Sequence, residues 1–341
     1  MLISEFDFQL PDELIAQDPL SGRDQSRMLV VRRSDGSFAD KQFTDFPEEL
    51  GSSDVLVLNN TKVFPARLNG QLETGAAVEL FLVEETDENI WIALARPGRR
   101  LKAGKKILFG SGLSANVLAK RGDGRVLVRF DADERVFDLI EKVGATPLPP
   151  YISRAASSED RARYQTVYAS SRGAIAAPTA GLHFTPAILD TIRGRGVEIR
   201  EITLHVGYGT FEPVRVEHVA EHNVMPERFE IGPETAAALN SALVEGRRIV
   251  AVGTTTTRAL ETSVARHGQV VAERSLADLT IRPGYKFAAV TALLTNFHLP
   301  KSSLLVLVST FGGHELIMNS YRHAVESRYR FYSYGDCMFV C

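Results

Sequence analysis

The sequence has few cysteines, no long hydrophobic run and little net charge. Its two cysteines among 341 residues are Cys337 and Cys341, at the C-terminus, so a disulfide framework and a cysteine-based zinc site are excluded. No apolar run approaches the roughly 18–20 residues that a membrane span needs. The acidic N-terminus also lacks the basic start and apolar stretch of a signal peptide. We therefore expect a cytoplasmic protein without a membrane-bound segment.

Charge and composition exclude two further classes. The 39 Lys and Arg residues nearly balance the 42 Asp and Glu residues, which argues against a wholly basic nucleic-acid coat protein but allows a local basic patch. Hydrophobic residues make up 44% and charged residues 24%, so the chain can bury enough apolar surface to fold. A chain of this length predicts two domains, with three possible.

Short apolar runs separated by glycine and proline dominate residues 68–146 and predict a small barrel or sandwich. An amphipathic helix is expected over 134–143, and the stiff connector Pro147–Tyr151 follows. Helices and strands then alternate, which is typical of an α/β architecture. We therefore predict a mixed α/β domain, discontinuous in sequence and formed by residues 1–67 and 147–341, with a β-rich, barrel-like domain inserted at 68–146.

Two local patterns in the α/β part carry further expectations. Thr185 followed by Pro186 predicts a helix start, with the threonine as N-cap. Lys301–Thr310 contains the continuous apolar run Leu304–Val308, and periodicity alone fits either a buried strand or a core helix.

Five polar segments next to apolar runs could carry chemistry, because sites usually lie on loops held by a rigid scaffold. Asn59, Asn60 and Lys62 follow a predicted buried strand, where open α/β sheets bind ligands; the alternative is a turn capped by asparagine. The segment 177–185 leads into a helix N-terminus that favours an anion, and His183 in it could act as a general base. The alternative is a turn with a structural histidine.

The other three segments are also open to two interpretations. Gly207 and Gly209 let the backbone approach a ligand, although without a third glycine they are a weak dinucleotide signal. The neighbouring His205 lies on a strand, where a structural histidine is the alternative. The segment 252–258 combines four threonines with Arg258 at a helix start, which suits a carboxylate or phosphate but also ordinary capping. The segment 294–302 mixes Asn, His and Lys before an apolar run.

Two signals indicate other classes of function. His218–His222 matches the His-x-x-Glu-His pattern of inverted zinc peptidases, but flanking prolines leave little room for the helix that such a site needs. Residues 96–106 carry six basic residues and no acid, which predicts either phosphate contacts or an exposed hairpin. The Walker A motif is absent, which argues against a P-loop ATPase. A zinc hydrolase and a non-catalytic RNA-binding module therefore remain as alternatives to an enzyme of another kind.

Taken together and in order, these segments resemble the S-adenosylmethionine:tRNA ribosyltransferase-isomerase family of queuosine biosynthesis. The resemblance spans essentially the whole chain. It is carried by Phe6–Gln17, Arg23–Arg27, Leu58–Leu68, Pro147–Arg154, Arg163–Ala169, Ala176–Thr185, Leu204–Val214, Val252–Glu261, Arg282–Tyr285, Thr295–Ser302 and Tyr329–Asp336.

The resemblance implies a reaction in which S-adenosylmethionine donates its ribosyl group. The acceptor is 7-aminomethyl-7-deazaguanine at the wobble position of tRNA, and the products are epoxyqueuosine-tRNA, adenine and methionine. It further implies S-adenosylmethionine as a co-substrate, no tightly bound cofactor, no metal, and an anticodon stem-loop as the partner. We expect a monomer.

We assign candidate roles on this basis. The candidate catalytic residues are His183, His205, His298 and Lys62. Candidates for contact with S-adenosylmethionine or the base are Asn59, Asn60, Thr179, Gly181, Phe184, Gly207, Gly209, Thr254, Thr255, Arg258 and Asn296. Candidates for tRNA contact are Arg67, Arg96, Arg99, Arg100 and Lys102.

The chain departs from the family pattern at two places. Met225 stands where family members often carry a second histidine, and Thr256 and Thr257 stand where serine and valine are common. If that histidine were the base, the mechanism would differ here, so the prediction rests on His183, His205 and His298 instead.

Overall fold

The structure is a computed structural model, and it describes residues 1–132, 134–211 and 214–341, without the side chains of Arg100, Thr210 and Phe211. The strands are β1 (Arg27–Val31), β2 (Phe38–Gln42), β3 (Val55–Asn59), β4 (Thr61–Val63), β5 (Arg67–Leu72), β6 (Ala77–Asp87), β7 (Ile90–Arg96), β8 (Lys106–Gly110), β9 (Leu113–Lys120), β10 (Val126–Asp131), β11 (Ser171–Ala174), β12 (Glu198–Leu204), β13 (Glu227–Ile231), β14 (Ile249–Val252), β15 (Glu273–Ala277), β16 (Ala292–Asn296) and β17 (Cys337–Val340). The helices are α1 (Val136–Val143), α2 (Asp160–Arg163), α3 (Pro186–Gly194), α4 (Pro233–Val244), α5 (Thr254–His267), α6 (Ser303–Gly312) and α7 (His314–Glu326).

A nine-stranded sheet organises the larger domain, in the order β15-β13-β12-β3-β14-β16-β17-β1-β2. The four central strands β12, β3, β14 and β16 are parallel to one another, and β17 pairs antiparallel with β16. The residues of β3 alternate between two cores. Val55 and Val57 pack with helices α4 to α7, and Leu56 and Leu58 pack with α3. Helices on both faces explain why this strand is continuously apolar.

The second unit is a closed barrel of six antiparallel strands, in the order β10-β7-β6-β5-β8-β9. Alternating burial along β10 places Val126, Val128 and Phe130 inside, as expected for a strand with one face toward a core. Helix α1 adds its apolar face to the same core. The chain enters and leaves the barrel at one place, because Arg67 and Ala145 exchange backbone hydrogen bonds of 3.3 and 2.8 Å.

The structure confirms the predicted fold class, a mixed α/β domain with an inserted barrel. The domain boundaries at residues 68 and 146 stay predictions. Lys301–Thr310 contains the start of a helix, α6, rather than a strand. Thr185 is the N-cap of α3 as predicted, and its hydroxyl accepts a hydrogen bond of 3.2 Å from the Ile188 N–H.

The sheet brings four of the five polar segments to one edge. The strands β12, β3, β14 and β16 end at the same edge, because parallel strands share the direction of their carboxyl ends. The residues that follow them are His205, Asn60, Gly253 and Phe297. The chain before β17 lies there too, since Asn296 pairs with Cys337 in the antiparallel register. None of the helices in the described ranges is long and apolar enough to cross a membrane.

Candidate active site

A cleft at this sheet edge, here called the central cleft, collects residues from four of the predicted segments. It lies at the N-terminus of α5 and beside the loop that follows β16. Its walls are formed by Tyr151, Tyr164, 176–180, Val206, Gly253, Thr254, Thr255, 295–298, Leu304, Tyr332 and Ser333. Among the described residues, none that lines the cleft carries a carboxylate, ammonium or guanidinium group.

The N-terminus of α5 gives the central cleft an anion-binding end. Gly253 precedes the helix with φ of 93°, a left-handed value that favours glycine. Thr256 and Thr257 turn their hydroxyls back to the carbonyls of Val252 and Gly253, at 2.7 and 3.2 Å. Thr254 lines the cleft and is the first residue of this 14-residue helix. The first N–H groups of a helix have no acceptor within the helix, so they are available to an anion.

Asn296 and His298 form part of the wall of the central cleft. The Asn296 amide N–H donates to the Tyr332 carbonyl at 2.9 Å, while its Oδ1 is buried without a hydrogen-bond partner in the described structure. His298 Nε2 lies 2.9 Å from the Thr295 hydroxyl. Burial lowers the pKa of His298 to about 3, so its imidazole is neutral at neutral pH and is a weak base.

His183 lies behind this wall rather than in it. It does not line the central cleft but a smaller pocket with Arg23 and Ser26, which shares Ser333 with the cleft. The Ser26 hydroxyl is 2.7 Å from Nδ1, and Nε2 has no hydrogen-bond partner in the described ranges. Burial lowers the pKa of His183 to about 4, opposed by the nearby Asn296 amide.

His205, Gly207 and Gly209 line a second and larger space between the barrel and the α/β domain, here called the interdomain cleft. The His205 Nδ1 is 2.8 Å from the Thr61 hydroxyl. Burial and the charge of Arg228 lower its pKa, and Glu230 opposes them. The interdomain cleft is lined by Phe64, 83–85, Trp91, Arg125, Phe137, Arg172, Gly173, 205–209, 225–228 and Leu276.

The two clefts meet at one residue, Val206, which lines both of them. His205 directly precedes it. Gly173 allows the close approach here, because a Cβ on this residue would lie 2.8 Å from the His205 ring. Val206 is therefore a wall that the two clefts share, with His205 next to it in sequence.

Arg258 is held inside the protein instead of facing the central cleft. It forms a 2.5 Å ion pair with Glu227, and the two side chains are 8% and 5% exposed. Its other donors reach the carbonyls of Met225, Ala277 and Leu279. Since Glu227 also accepts from the Gly207 N–H at 2.9 Å, this geometry fits positioning of the glycine loop better than direct ligand contact.

Three other predicted contact residues are also engaged within the protein. Asn59 bonds to both backbone groups of Leu204 at 2.9 Å, and Asn60 bonds to Glu201 and Thr203. Phe184 is fully buried in an aromatic core cluster. Of the remaining predictions, Thr179 lines the central cleft, and Gly181 is buried where a Cβ would lie 2.1 Å from the Tyr168 hydroxyl.

The predicted basic residues lie on or near the barrel. Lys62 and Arg161 line a third cavity, near the place where the chain enters and leaves the barrel. Arg67 is in an ion pair with Glu79 at 3.1 Å. Three further predicted residues are exposed on the barrel surface, namely Arg96, Arg99 and Lys102. The side chain of Arg100, a further predicted contact, lies outside the described part of the structure.

The aromatic segment 329–336, whose sequence fits either base stacking or the packing of a core edge, contributes Tyr332 and Ser333 to the central cleft beside Tyr151. The Tyr151 hydroxyl is hydrogen bonded to Ser333, and the Tyr151 and Tyr332 rings meet edge to face at 3.8 Å. The Tyr334 hydroxyl donates to the buried Asp160 at 2.9 Å. Pro147–Arg154 and Tyr329–Asp336 both belong to the stretches that resemble the family. They lie far apart in sequence, so the contact between their tyrosines could not be predicted from it.

The zinc-peptidase pattern does not form a site in the described structure. Val219–Glu221 is a single 3-10 turn between His218 and His222, so the helix that the pattern requires is missing. The described residues contain no group of three or more His, Cys, Asp or Glu side chains placed to hold a metal ion.

Comparison with known proteins gives consistent similarities over the whole chain. A family model described as queuosine biosynthesis protein matches residues 3–340. The S-adenosylmethionine:tRNA ribosyltransferase-isomerases of Trichlorobacter lovleyi and Citrifermentans bemidjiense are 48% and 50% identical over 340 and 343 residues, with 100% of both chains covered. A crystal structure of an S-adenosylmethionine tRNA ribosyltransferase from Thermotoga maritima is 37% identical, with a TM-score of 0.57, and covers 99% of this chain and 100% of that one.

Proposed function

The chain belongs to the queuosine biosynthesis protein family, and we infer from this premise that it is an S-adenosylmethionine:tRNA ribosyltransferase-isomerase. It transfers and isomerises the ribosyl group of S-adenosylmethionine onto 7-aminomethyl-7-deazaguanine at the tRNA wobble position. The products are epoxyqueuosine-tRNA, adenine and methionine. Because its substrate is tRNA, we propose that it acts in the cytoplasm. We further propose that it is a monomer and that it holds no tightly bound cofactor.

The observation that supports this function best is the convergence of four predicted segments on the central cleft. S-adenosylmethionine carries a carboxylate, a sulfonium cation and an adenine ring. The α5 N-terminus at Thr254 suits the carboxylate. Tyr151 and Tyr332 suit the sulfonium, and Asn296 and His298 line the cleft where the adenine would lie.

The reaction requires the acceptor amine to reach the ribose of S-adenosylmethionine, so the reacting carbon must lie where the two clefts meet. His205 stands beside this junction, next to Val206. The sulfonium makes the neighbouring ribose C–H acidic, and a neutral imidazole can take that proton. We therefore assign the proton transfer to His205, whose lowered pKa keeps it neutral at neutral pH.

The remaining steps conserve atoms and charge. Loss of the ribose proton leads to opening of the ring and departure of adenine. The acceptor amine, once neutral, adds to the unsaturated sulfonium that results. The carbanion that this addition leaves beside the sulfonium attacks the aldehyde carbon from which adenine departed, which forms the carbon–carbon bond of the new five-membered ring. The oxygen of that aldehyde then closes the epoxide, which breaks the carbon–sulfur bond and releases methionine. His298, held neutral by its burial, hydrogen bonds to the adenine, and His183 supports Asn296 from behind.

We assign tRNA contact to the exposed basic surface of the barrel. Arg96, Arg99 and Lys102 project there close in sequence, and the described ion pairs include none of them. Phosphates attract such side chains independently of sequence. Lys62 and Arg161, which share the cavity at the barrel entrance, extend the basic region toward the α/β domain.

The test of this function is incubation with S-adenosylmethionine and tRNA that carries the aminomethyl base, followed by nucleoside mass spectrometry. We expect epoxyqueuosine together with one equivalent of adenine. A protein that binds this tRNA with steep salt dependence, yet forms no new nucleoside where a known family member does, would be an RNA-binding module instead.

A further inference from the structure

The interdomain cleft is the largest open space at the sheet edge, with about 1160 Å³ of empty volume including its mouth. Both domains contribute to it, and it shares the lining residue Val206 with the central cleft. We propose that it binds the wobble base of tRNA, extruded from the anticodon loop, while S-adenosylmethionine occupies the central cleft. This proposal rests on the proposed function and adds a binding site for the acceptor to it.

Aromatic rings form the wall of the interdomain cleft on the barrel side. The ring of Phe64 lies 5.5 Å from that of Trp91 and 5.7 Å from that of Phe137. The Arg172 guanidinium lies over the Phe137 ring at 5.6 Å. Unstacked bases bind to aromatic faces and guanidinium planes of this kind. Phe64 and Trp91 are 2% and 5% exposed, so the half-buried Phe137 and the exposed Arg172 are the groups on which a planar base can stack.

The polar groups of the interdomain cleft match the edge of a guanine-like base. Such a base offers one carbonyl acceptor and several N–H donors, and the aminomethyl group adds a cation. The Trp91 indole N–H is buried and has no hydrogen-bond partner in the described ranges, so it can donate to the carbonyl. The exposed carboxylate of Glu85 can accept from the N–H groups and face the cation.

The rim of the interdomain cleft carries positively charged side chains, which can contact the phosphates of a nucleotide backbone. Arg125, Arg172 and Arg228 line it, and the Arg228 guanidinium bridges the two domains through a 2.7 Å ion pair with Glu84. Exposed apolar surface is present at the same rim, because Leu276 is 46% exposed. Cations for flanking phosphates and apolar surface for a ring are the features of sites for single-stranded nucleic acid.

The position of this site fits the chemistry. A base in the interdomain cleft can present its aminomethyl group toward Val206. There His205, once it has passed the ribose proton to the departing adenine, can receive the proton that the ammonium must lose before it attacks. The ribose of S-adenosylmethionine would approach Val206 from the central cleft. The two substrates would therefore meet at a residue that lines both sites.

Trp91 is the only tryptophan of the chain, so its fluorescence reports on this cleft directly. The experiment titrates the full-length protein with an anticodon stem-loop carrying the aminomethyl base, with the same stem-loop abasic at the wobble position, and with S-adenosylmethionine alone. We expect quenching by the modified stem-loop only, and about 5- to 150-fold weaker binding of the abasic one. Equal quenching by the abasic stem-loop, or quenching by S-adenosylmethionine alone, would overturn the proposal.

Paired substitutions give a second readout. Phe137→Leu removes a stacking ring from the cleft, and Phe38→Leu removes an exposed ring from β2, away from it. We expect kcat/KM for the stem-loop to fall at least about 5-fold in the first variant and to stay unchanged in the second, with the KM for S-adenosylmethionine unchanged in both. An equal effect of the two variants would contradict the site.

The outcomes separate the site from the reaction. Base-dependent quenching without formation of the modified nucleoside would support the site and contradict the proposed function. Formation of the nucleoside without base-dependent quenching would support the proposed function and contradict the site.

Discussion

The buried ion pair between Glu227 and Arg258 gives a stability prediction that can be worked from the structure. Glu227→Gln removes the negative charge but keeps an acceptor for the Gly207 N–H, which bonds to Oε1 at 2.9 Å. The Arg258 guanidinium then stays buried, 8% exposed, with carbonyl oxygens as its remaining acceptors. Leaving one charge of a buried pair without its partner costs about 3–5 kcal/mol.

We expect the lower end of that range, about 3 kcal/mol, because three backbone carbonyls still accept from Arg258. The assay is urea unfolding followed by far-UV circular dichroism. Since removal of the stranded charge relieves the penalty, the double variant Glu227→Gln, Arg258→Met should lose less stability than the two single variants added together.

A matched control lies on the same strand. Glu230 forms an ion pair with Arg274 at 2.9 Å on the surface, so Glu230→Gln should leave the unfolding midpoint unchanged. A loss below about 1 kcal/mol for Glu227→Gln, or additive effects in the double variant, would refute the assignment of a buried, mutually dependent pair.

Three further predictions follow from single features. Asn296→Ala should lower the rate of adenine release at least about 10-fold with little change in stem-loop affinity, because Asn296 lines the central cleft and its amide interacts with His183. Burial raises the pKa of Asp160, but its hydrogen bonds outweigh this and lower it; its ionised form therefore stabilises the fold above the unfolded pKa of about 3.9 and less as the pH falls. Asp160→Asn should consequently lose stability at pH 7 and approach the parent protein in acid unfolding measurements below pH 4. Replacing Arg96, Arg99 and Lys102 together by alanine should reduce the slope of log affinity against log salt by about 2–3, while a slope equal to that of the parent protein would remove the barrel surface from the tRNA interface.

Much of the fold followed from local sequence, and the exceptions have physical reasons. The continuous apolar run of β3 predicted a buried strand, and the short apolar run that contains β10 predicted part of a barrel or sandwich. The apolar run Leu304–Val308 left two choices, because a helix buried on all sides loses the periodicity that marks a surface helix. The last strand, β17, was missed since Cys337–Val340 looks like a short tail and becomes buried only through its pairing with β1 and β16.

The sequence predicted which segments form the candidate site. It did not predict which residue of each segment faces the cleft and which is held by a partner inside the protein. The position of Thr254 at a helix start could be read from the threonines that precede Arg258. The partner of Arg258 could not, because Glu227 lies 31 residues away and meets it only through the packing of α5 against β13. Trp91 was missed for the same reason, since it belongs to the barrel and faces the α/β domain.

The central claim is that the ribosyl group, and not the methyl group, of S-adenosylmethionine moves to tRNA. The most direct measurement uses S-adenosylmethionine labelled with carbon-13 throughout its ribose, or in its methyl group only, with tRNA that carries the aminomethyl base. We predict that the wobble nucleoside gains the mass of all five labelled ribose carbons in the first case and gains no label in the second. Label from the methyl group in the nucleoside, or none from the ribose while adenine is released, would contradict the account.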